Sequence, residues 1–220
     1  MKILTWNVER IKKFKNQNLT NVINSYDADI LVLTETSSKL DFSENYKNIS
    51  TEKLVPNHDG VNYESEENRT TIWTKYEIVK EHKTFDNFTS ICTEIKTEFG
   101  ILNVYATIIG IFGGKGERFK SDLSGQLEDF KNFEVKNFNC IVGDLNVFFS
   151  GYPYPSHQAR NLLNETFQNL KMKNLTSEIE NNVDHIILSE KFLANRKIEI
   201  QTWNLDKKLS DHIGICITIN

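Results

Sequence analysis

The chain is poor in cysteine, in proline and in net positive charge, and it has no long apolar run. Three cysteines stand among 220 residues, at 92, 140 and 216. An odd number at wide spacing argues against a disulfide framework and a clustered zinc site. Each lies in a strand-like context: Ser-Ile-Cys-Thr, Asn-Cys-Ile-Val and Gly-Ile-Cys-Ile. Buried free thiols, and with them a reducing, cytoplasmic setting, are expected. No stretch approaches the ~18 apolar residues of a membrane span. MKILTWNVERIKK lacks the apolar core of a secretory signal. The formal charge is -4 and the pI is about 5.8, so no general positive field attracts polyanions. Any grip on phosphate has to come from a local site or a metal. There is no repeat, no low-complexity tract and no Pro-rich linker, and two of the three prolines bracket Tyr154. One domain over residues 1–220 is expected, with no obligate protein partner.

What is present is a series of short apolar runs. Strands are predicted at Lys2–Trp6, Ile30–Leu33, Thr70–Thr74, Ser90–Ile95 and Ile101–Ala106, then at Asn139–Val142, Val183–Leu188, Ile198–Thr202 and Ile213–Ile219. Helical spacing predicts helices over Asn18–Tyr26, Ser121–Phe133 and Ser156–Leu170. The polar segment Asp41–Asn68 reads as a long surface excursion. Many strands with few helices point to an α/β fold, two packed mixed sheets with helices outside.

Chemistry gathers where strands end. Asn7, Glu35 and Tyr105 follow apolar runs, and so do Asp144 and Asn146 in Ile-Val-Gly-Asp-Leu-Asn-Val. Asp144 and Asn146 are two positions apart, the spacing that puts side chains on one face of a strand. Asp184-His185 and Asp211-His212 instead precede their runs. If those last strands run antiparallel to the earlier ones, all these groups fall on one edge. Each alone is ordinary, since Asp and Asn are turn formers. Together and in this order they define a candidate site.

The chain resembles the endonuclease/exonuclease/phosphatase, or DNase-I-like, superfamily. The resemblance is carried by Thr-Trp-Asn-Val at 5–8, Leu-Thr-Glu-Thr at 33–36, Asn-Val-Tyr at 103–105, Gly-Asp-Leu-Asn at 143–146, Val-Asp-His-Ile-Ile-Leu-Ser at 183–189 and Ser-Asp-His at 210–212. It implies a four-layer α/β sandwich and phosphoester cleavage with Mg²⁺ or Mn²⁺. It also implies roles. Asn7 and Glu35 would be the main metal ligands, with Asp211 close by. Asp144 would activate the attacking water and Asn146 would orient it or the phosphate. His212 would hold phosphate oxygens, kept protonated by Asp184. His185 is left outside the site.

Tyr105 stands where some branches of the superfamily carry a histidine general acid, as it does in the abasic-site endonuclease branch. The amide that usually follows there is missing from Tyr105-Ala106-Thr107-Ile108. The loop Gly110–Lys120 is not a P-loop, because its spacing fails and no Ser or Thr follows Lys115. Lys115, Arg118 and Lys120 are candidate phosphate contacts, and Lys12-Lys13-Phe14-Lys15 is a second basic run. The expected function is a metal-dependent phosphodiester hydrolase acting on DNA. The alternative is a phosphatase or phosphodiesterase for a small nucleotide, inositol phosphate or lipid headgroup. A catalytically silent binding module on the same scaffold is the third reading, and the intact acid, amide and histidine set argues against it.

Overall fold

The apolar runs become strands of two mixed sheets that face each other. The structure, a computed structural model, describes residues 1–11, 16–42, 44–58, 60–110 and 113–220. The first half of the chain forms β1 (Lys2–Asn7), α1 (Asn16–Tyr26), β2 (Ile30–Ser37), β3 (Lys47–Ser50), β4 (Asn57–His58), β5 (Val61–Asn62), β6 (Glu67–Thr74), β7 (Glu77–His82) and β8 (Ser90–Thr97). The second half forms β9 (Gly100–Ile108), α2 (Gly116–Lys131), β10 (Phe138–Asp144), α3 (His157–Asn169), β11 (Met172–Asn174), β12 (Asp184–Ser189), α4 (Glu190–Leu193), β13 (Ile198–Trp203) and β14 (Gly214–Ile219). One sheet has the order β13-β14-β1-β2-β6-β3 and the other β11-β12-β10-β9-β8-β7. Strands β4 and β5 form a separate hairpin.

Side-chain alternation builds the layers. Ile3, Val32 and Ile72 of the first sheet meet Val104, Val142 and Ile186 of the second in the central core. The alternate residues Leu4, Leu31 and Leu33 face outward and are covered by Leu19 and Ile23 of α1. On the far side Tyr105, Ile141 and Ile187 pack under Phe119, Leu123 and Phe130 of α2 and Leu163 and Phe167 of α3. The result is the four-layer sandwich expected from the sequence.

The nine expected strands are present, with ends moved by a few residues. The segment Asp41–Asn68 is more ordered than expected, holding β3, the β4–β5 hairpin and the start of β6. Strands β3 and β7 are mostly solvent-facing, so little apolar alternation marks them. Helix α2 starts at Gly116, before the expected Ser121, because its first turn is polar except for Phe119. Ser156 serves as the cap of α3, accepting from Ala159 N at 3.2 Å. The basic run Lys12-Lys13-Phe14-Lys15 and residues 111–112 lie outside the described residues.

Register places the polar strand ends together. In the parallel pair β1–β2, Asn7 stands opposite Thr34, beside Glu35. In the antiparallel pair β10–β12, Asp144 stands opposite Asp184. Strand β14 runs antiparallel to β1, with Ile215 opposite Thr5, so Asp211 and His212 arrive at the end where β1 finishes.

Candidate active site

The first sheet supplies one half of the site. Asn7 is buried at the end of β1. Its Oδ1 accepts from Glu9 N at 2.9 Å and its Nδ2 donates to Asp144 Oδ2 at 3.0 Å. Ser210 Oγ donates to Asn7 O at 2.7 Å and accepts from His212 N at 3.1 Å. The carbonyl of His212 accepts from Trp6 Nε1 at 3.0 Å and from Asn204 Nδ2 at 2.7 Å. Trp6, Asn204 and Ser210 thus clamp the backbone that carries His212, a task that no strand-end pattern marks. Glu35 has a left-handed backbone, φ 48, inside β2. A non-glycine residue there costs on the order of 1–3 kcal/mol, a strain that gathers at functional positions.

The second sheet supplies the other half. Gly143 has φ +130, and a Cβ there would lie 2.1 Å from Thr107 O, so only glycine lets β10 press this closely on β9. The chain then delivers Asp144, whose Oδ1 accepts from Asn146 N at 2.9 Å. Asn146 also has positive φ, 51, and its Nδ2 donates to Ile109 O at 3.0 Å. Leu145 and Val147 sink into the helix-covered core, which fixes the alternation. Asp184 opens β12, its N–H held by Asn182 Oδ1 at 3.2 Å. His185 is buried as well, bonded to Thr176 Oγ1 at 3.0 Å and Val147 O at 2.9 Å. It ties the Asp144 loop to β12 and faces away from the cleft, in keeping with its exclusion.

The halves are joined by two side-chain bonds, Asn7 to Asp144 and Asp184 to His212, the latter 2.7 Å from Oδ2 to Nδ1. Burial pushes the Asp144 carboxyl up, and the nearby Asp184 charge adds to this against the pull of His212, to about 7. Burial opposes the charge on His212, but the charge and hydrogen bond of Asp184, with Asp144 behind them, push it up to about 10. Asp184 Oδ1 has no hydrogen-bond partner among the described residues. The cleft above is about 390 Å³ and is lined by Glu35, Asn146, Phe148, Asp184, Lys207 and His212, among others. Asp211 lies at its exposed edge, 3.7 Å from His212 Nε2. Lys207 and Phe148 are cleft residues that no strand-end pattern marks.

Four expected site residues are not brought to this cluster. Tyr105 pairs with Ile141 in the β9–β10 ladder, three residues short of the edge, and its side chain falls on the outer face under α2. Its hydroxyl donates to Asp129 Oδ2 at 2.6 Å, and burial pushes its pKa up. Tyr105 lines a separate hollow of about 890 Å³ with Cys92 and Asn103. Arg118 is engaged by two carboxylates, Asp86 and Asp122, the second also accepting from Gly110 N at 3.0 Å. Arg118 fastens α2 to the loop between β7 and β8 through Asp86, and Asp122 fastens it to the loop after β9. Lys120 pairs with Glu117 at 2.7 Å on the surface. Lys115 precedes α2 and is exposed; Gly113, near it, lines the cleft where Lys115 does not.

Among the described residues no three His, Cys, Asp or Glu side chains form a metal cluster. The donors present are of another kind. Glu35 offers a partly exposed carboxylate with no closer ion-pair partner, among the described residues, than Arg69 at 4.0 Å. Asn7 offers an amide oxygen that accepts one N–H and keeps a second lone pair. One or two carboxylates and neutral oxygens, with water completing the shell, suit Mg²⁺ or Mn²⁺. The residues therefore fit a hard divalent cation.

Known proteins share this fold. The profile of the Endonuclease/Exonuclease/phosphatase family matches residues 4–212. Among curated proteins none matches the chain in sequence. An endonuclease/exonuclease/phosphatase from Beutenbergia cavernae superposes with a TM-score of 0.75 at 14% identity, covering 100% of this chain and 71% of that one. A 3' phosphatase from Neisseria, solved with a product DNA hairpin, gives 0.73 at 13% identity, covering 100% and 99%. An AP endonuclease from Archaeoglobus fulgidus gives 0.70 at 15% identity, also covering 100% and 99%. At these identities the likeness is one of fold.

Proposed function

The chain belongs to the endonuclease/exonuclease/phosphatase family, and we propose that it is a divalent-metal-dependent phosphodiester hydrolase acting on DNA. The observation that carries this reading is the pair of bonds across the sheets, which sets a buried carboxylate beside a carboxylate-paired imidazole. Asp144 would take the proton of the attacking water, a task for which a pKa near neutrality is suited. Asn146 would orient that water or the phosphate. His212 has Nδ1 committed to Asp184, so Nε2–H is the donor left for a phosphoryl oxygen. Glu35 and Asn7, with Asp211 nearby, would hold Mg²⁺ or Mn²⁺. The metal, when bound, would polarise the phosphoryl group and stabilise charge on the leaving oxygen.

The DNA-directed neighbours support a nucleic-acid substrate. A second reading, a small nucleotide, inositol phosphate or lipid headgroup, is favoured by the cleft of about 390 Å³ and the net charge of -4. No described helix is long and apolar enough to cross a membrane. The three free cysteines are buried, which supports a cytoplasmic location. The test is hydrolysis of plasmid, oligonucleotide and abasic-site DNA, beside a panel of small phosphoesters, with Mg²⁺ and with EDTA. EDTA-sensitive DNA cleavage is expected. Turnover of the small esters alone would move the substrate to the second reading, and no hydrolysis of any would defeat both.

A further inference from the structure

Arg69 lies inside β6 and is only 2% exposed. A buried cation is stable only when paired and hydrogen-bonded. Its satisfaction here is thin. Nη1 is 3.3 Å from the Tyr63 hydroxyl and Nη2 is 3.5 Å from Gly110 O. Nε has no partner among the described residues. Among the described residues its ion-pair partner is Glu35, with Oε1 at 4.0 Å from Nη1.

The ladder fixes this juxtaposition. Thr34 pairs with Thr70 and Thr36 with Asn68, so Glu35 and Arg69 face each other across β2 and β6 in the gap between. The left-handed backbone of Glu35 falls at the same place. A second arginine, Arg10, stacks on Tyr63 from 4.6 Å but is committed to Glu67 by bonds of 2.7 and 2.8 Å. Arg69 also lies 5.9 Å from the Tyr63 ring centroid and acts on Glu67 from a distance, but Glu35 is the carboxylate its guanidinium reaches among the described residues.

We propose that Arg69 is a positioning residue that sets how tightly Glu35 takes the divalent cation. It is the counter-ion that holds this carboxylate when the cation is away and competes for it when the cation arrives. The inference rests on the reading of Glu35 as a metal ligand. It makes the cation weakly held before substrate binds, with phosphoryl oxygens of the substrate completing the grip.

Mn²⁺ binding to the purified protein without substrate, followed by electron paramagnetic resonance, tests this. Arg69→Met should bind Mn²⁺ about tenfold tighter, because a positive charge beside the ligand is gone. The Mn²⁺ concentration that half-saturates hydrolysis should fall in parallel. Arg69→Lys keeps the charge and should bind as the wild type does. Glu35→Gln should lose binding. Unchanged or weaker binding by Arg69→Met, with binding lost in Glu35→Gln, overturns the role of Arg69 and leaves Glu35 as a ligand. Undiminished binding by Glu35→Gln overturns the ligand reading itself. If Arg69→Met does not fold, Tyr63→Phe removes a hydrogen bond from Arg69 and throws it more fully onto Glu35. Mn²⁺ binding should then weaken roughly threefold, and no change would count against the proposal.

Discussion

Asp184 and His212 lie 2.7 Å apart although one opens β12 and the other leads into β14 of the opposite sheet. The carboxylate is buried and the imidazole nearly so, and the Asp184 charge pushes the His212 pKa up against the effect of burial. In Asp184→Asn the histidine loses its anion. Its pKa, pushed up to about 10 in the wild type, should fall toward the ordinary 6.5. A two-dimensional NMR titration of the ring should show His212 charged through pH 8 in the wild type and neutral there in the variant. A ring already neutral at pH 8 in the wild type would contradict the pairing.

Asp144→Asn keeps the shape of the site and removes the proton acceptor. Hydrolysis should fall by roughly 10²–10⁴-fold while the far-ultraviolet circular dichroism stays the same. Retention of most of the rate would place the base elsewhere.

Tyr105→Phe should do the reverse. The hydroxyl serves Asp129 and not the cleft. Its loss should cost about 1 kcal/mol of stability, since one hydrogen bond goes while Asp129 Oδ2 keeps the one from Phe85 N at 2.7 Å. The rate constant for hydrolysis at saturating substrate should be unchanged. Urea unfolding and steady-state kinetics together decide this, and a large loss of rate with intact stability would return Tyr105 to the chemistry.

His185 gives the protein an acid limit. Burial holds its pKa down to about 4, against 6.5 in the unfolded chain. With the folded value depressed, the contribution of neutral His185 is whole above pH 6.5 and is lost as pH falls toward 4. The loss is on the order of 3 kcal/mol. Denaturation midpoints measured at steps from pH 7 to pH 4 should drop for the wild type and drop less for His185→Gln. Parallel curves would show that other groups control the acid limb.

Gly143→Ala meets the Thr107 carbonyl at 2.1 Å from a backbone that L residues rarely adopt. The cost should be about 3 kcal/mol or more, read as a lowered midpoint in chemical denaturation. A midpoint equal to the wild type would mean that β10 can move off β9 at little expense.

Much of the site was visible in the sequence because strand ends are visible. Asn7, Glu35, Asp144, Asn146, Asp184 and His212 each border an apolar run, and sheet register converts such borders into one edge. Tyr105 also borders a run by eye, yet β9 continues to Ile108, so alternation carries the tyrosine to the outer face. Arg118 reads as a phosphate contact when Asp122, four residues on, is the acid in view, because its second carboxylate partner, Asp86, is remote in sequence. Lys207 and Phe148 sit in turns with no periodicity to betray them. Arg69 was hidden in another way, since polar Glu-Asn-Arg-Thr opens a strand whose every residue is buried. Burial of polar residues follows from tertiary neighbours and leaves no local pattern.

The clamp on Asn7 reaches across most of the chain. The bonds from Ser210 to Asn7 and from Trp6 to His212 span 203 and 206 residues. Strand β1 leaves the ribosome long before its neighbour β14 exists, and contacts of such long range form late. A nascent chain therefore carries its acids and amides apart from the histidine they need. Until the residues of β14 have emerged and paired with β1, the bond that holds His212 against Asp184 cannot form.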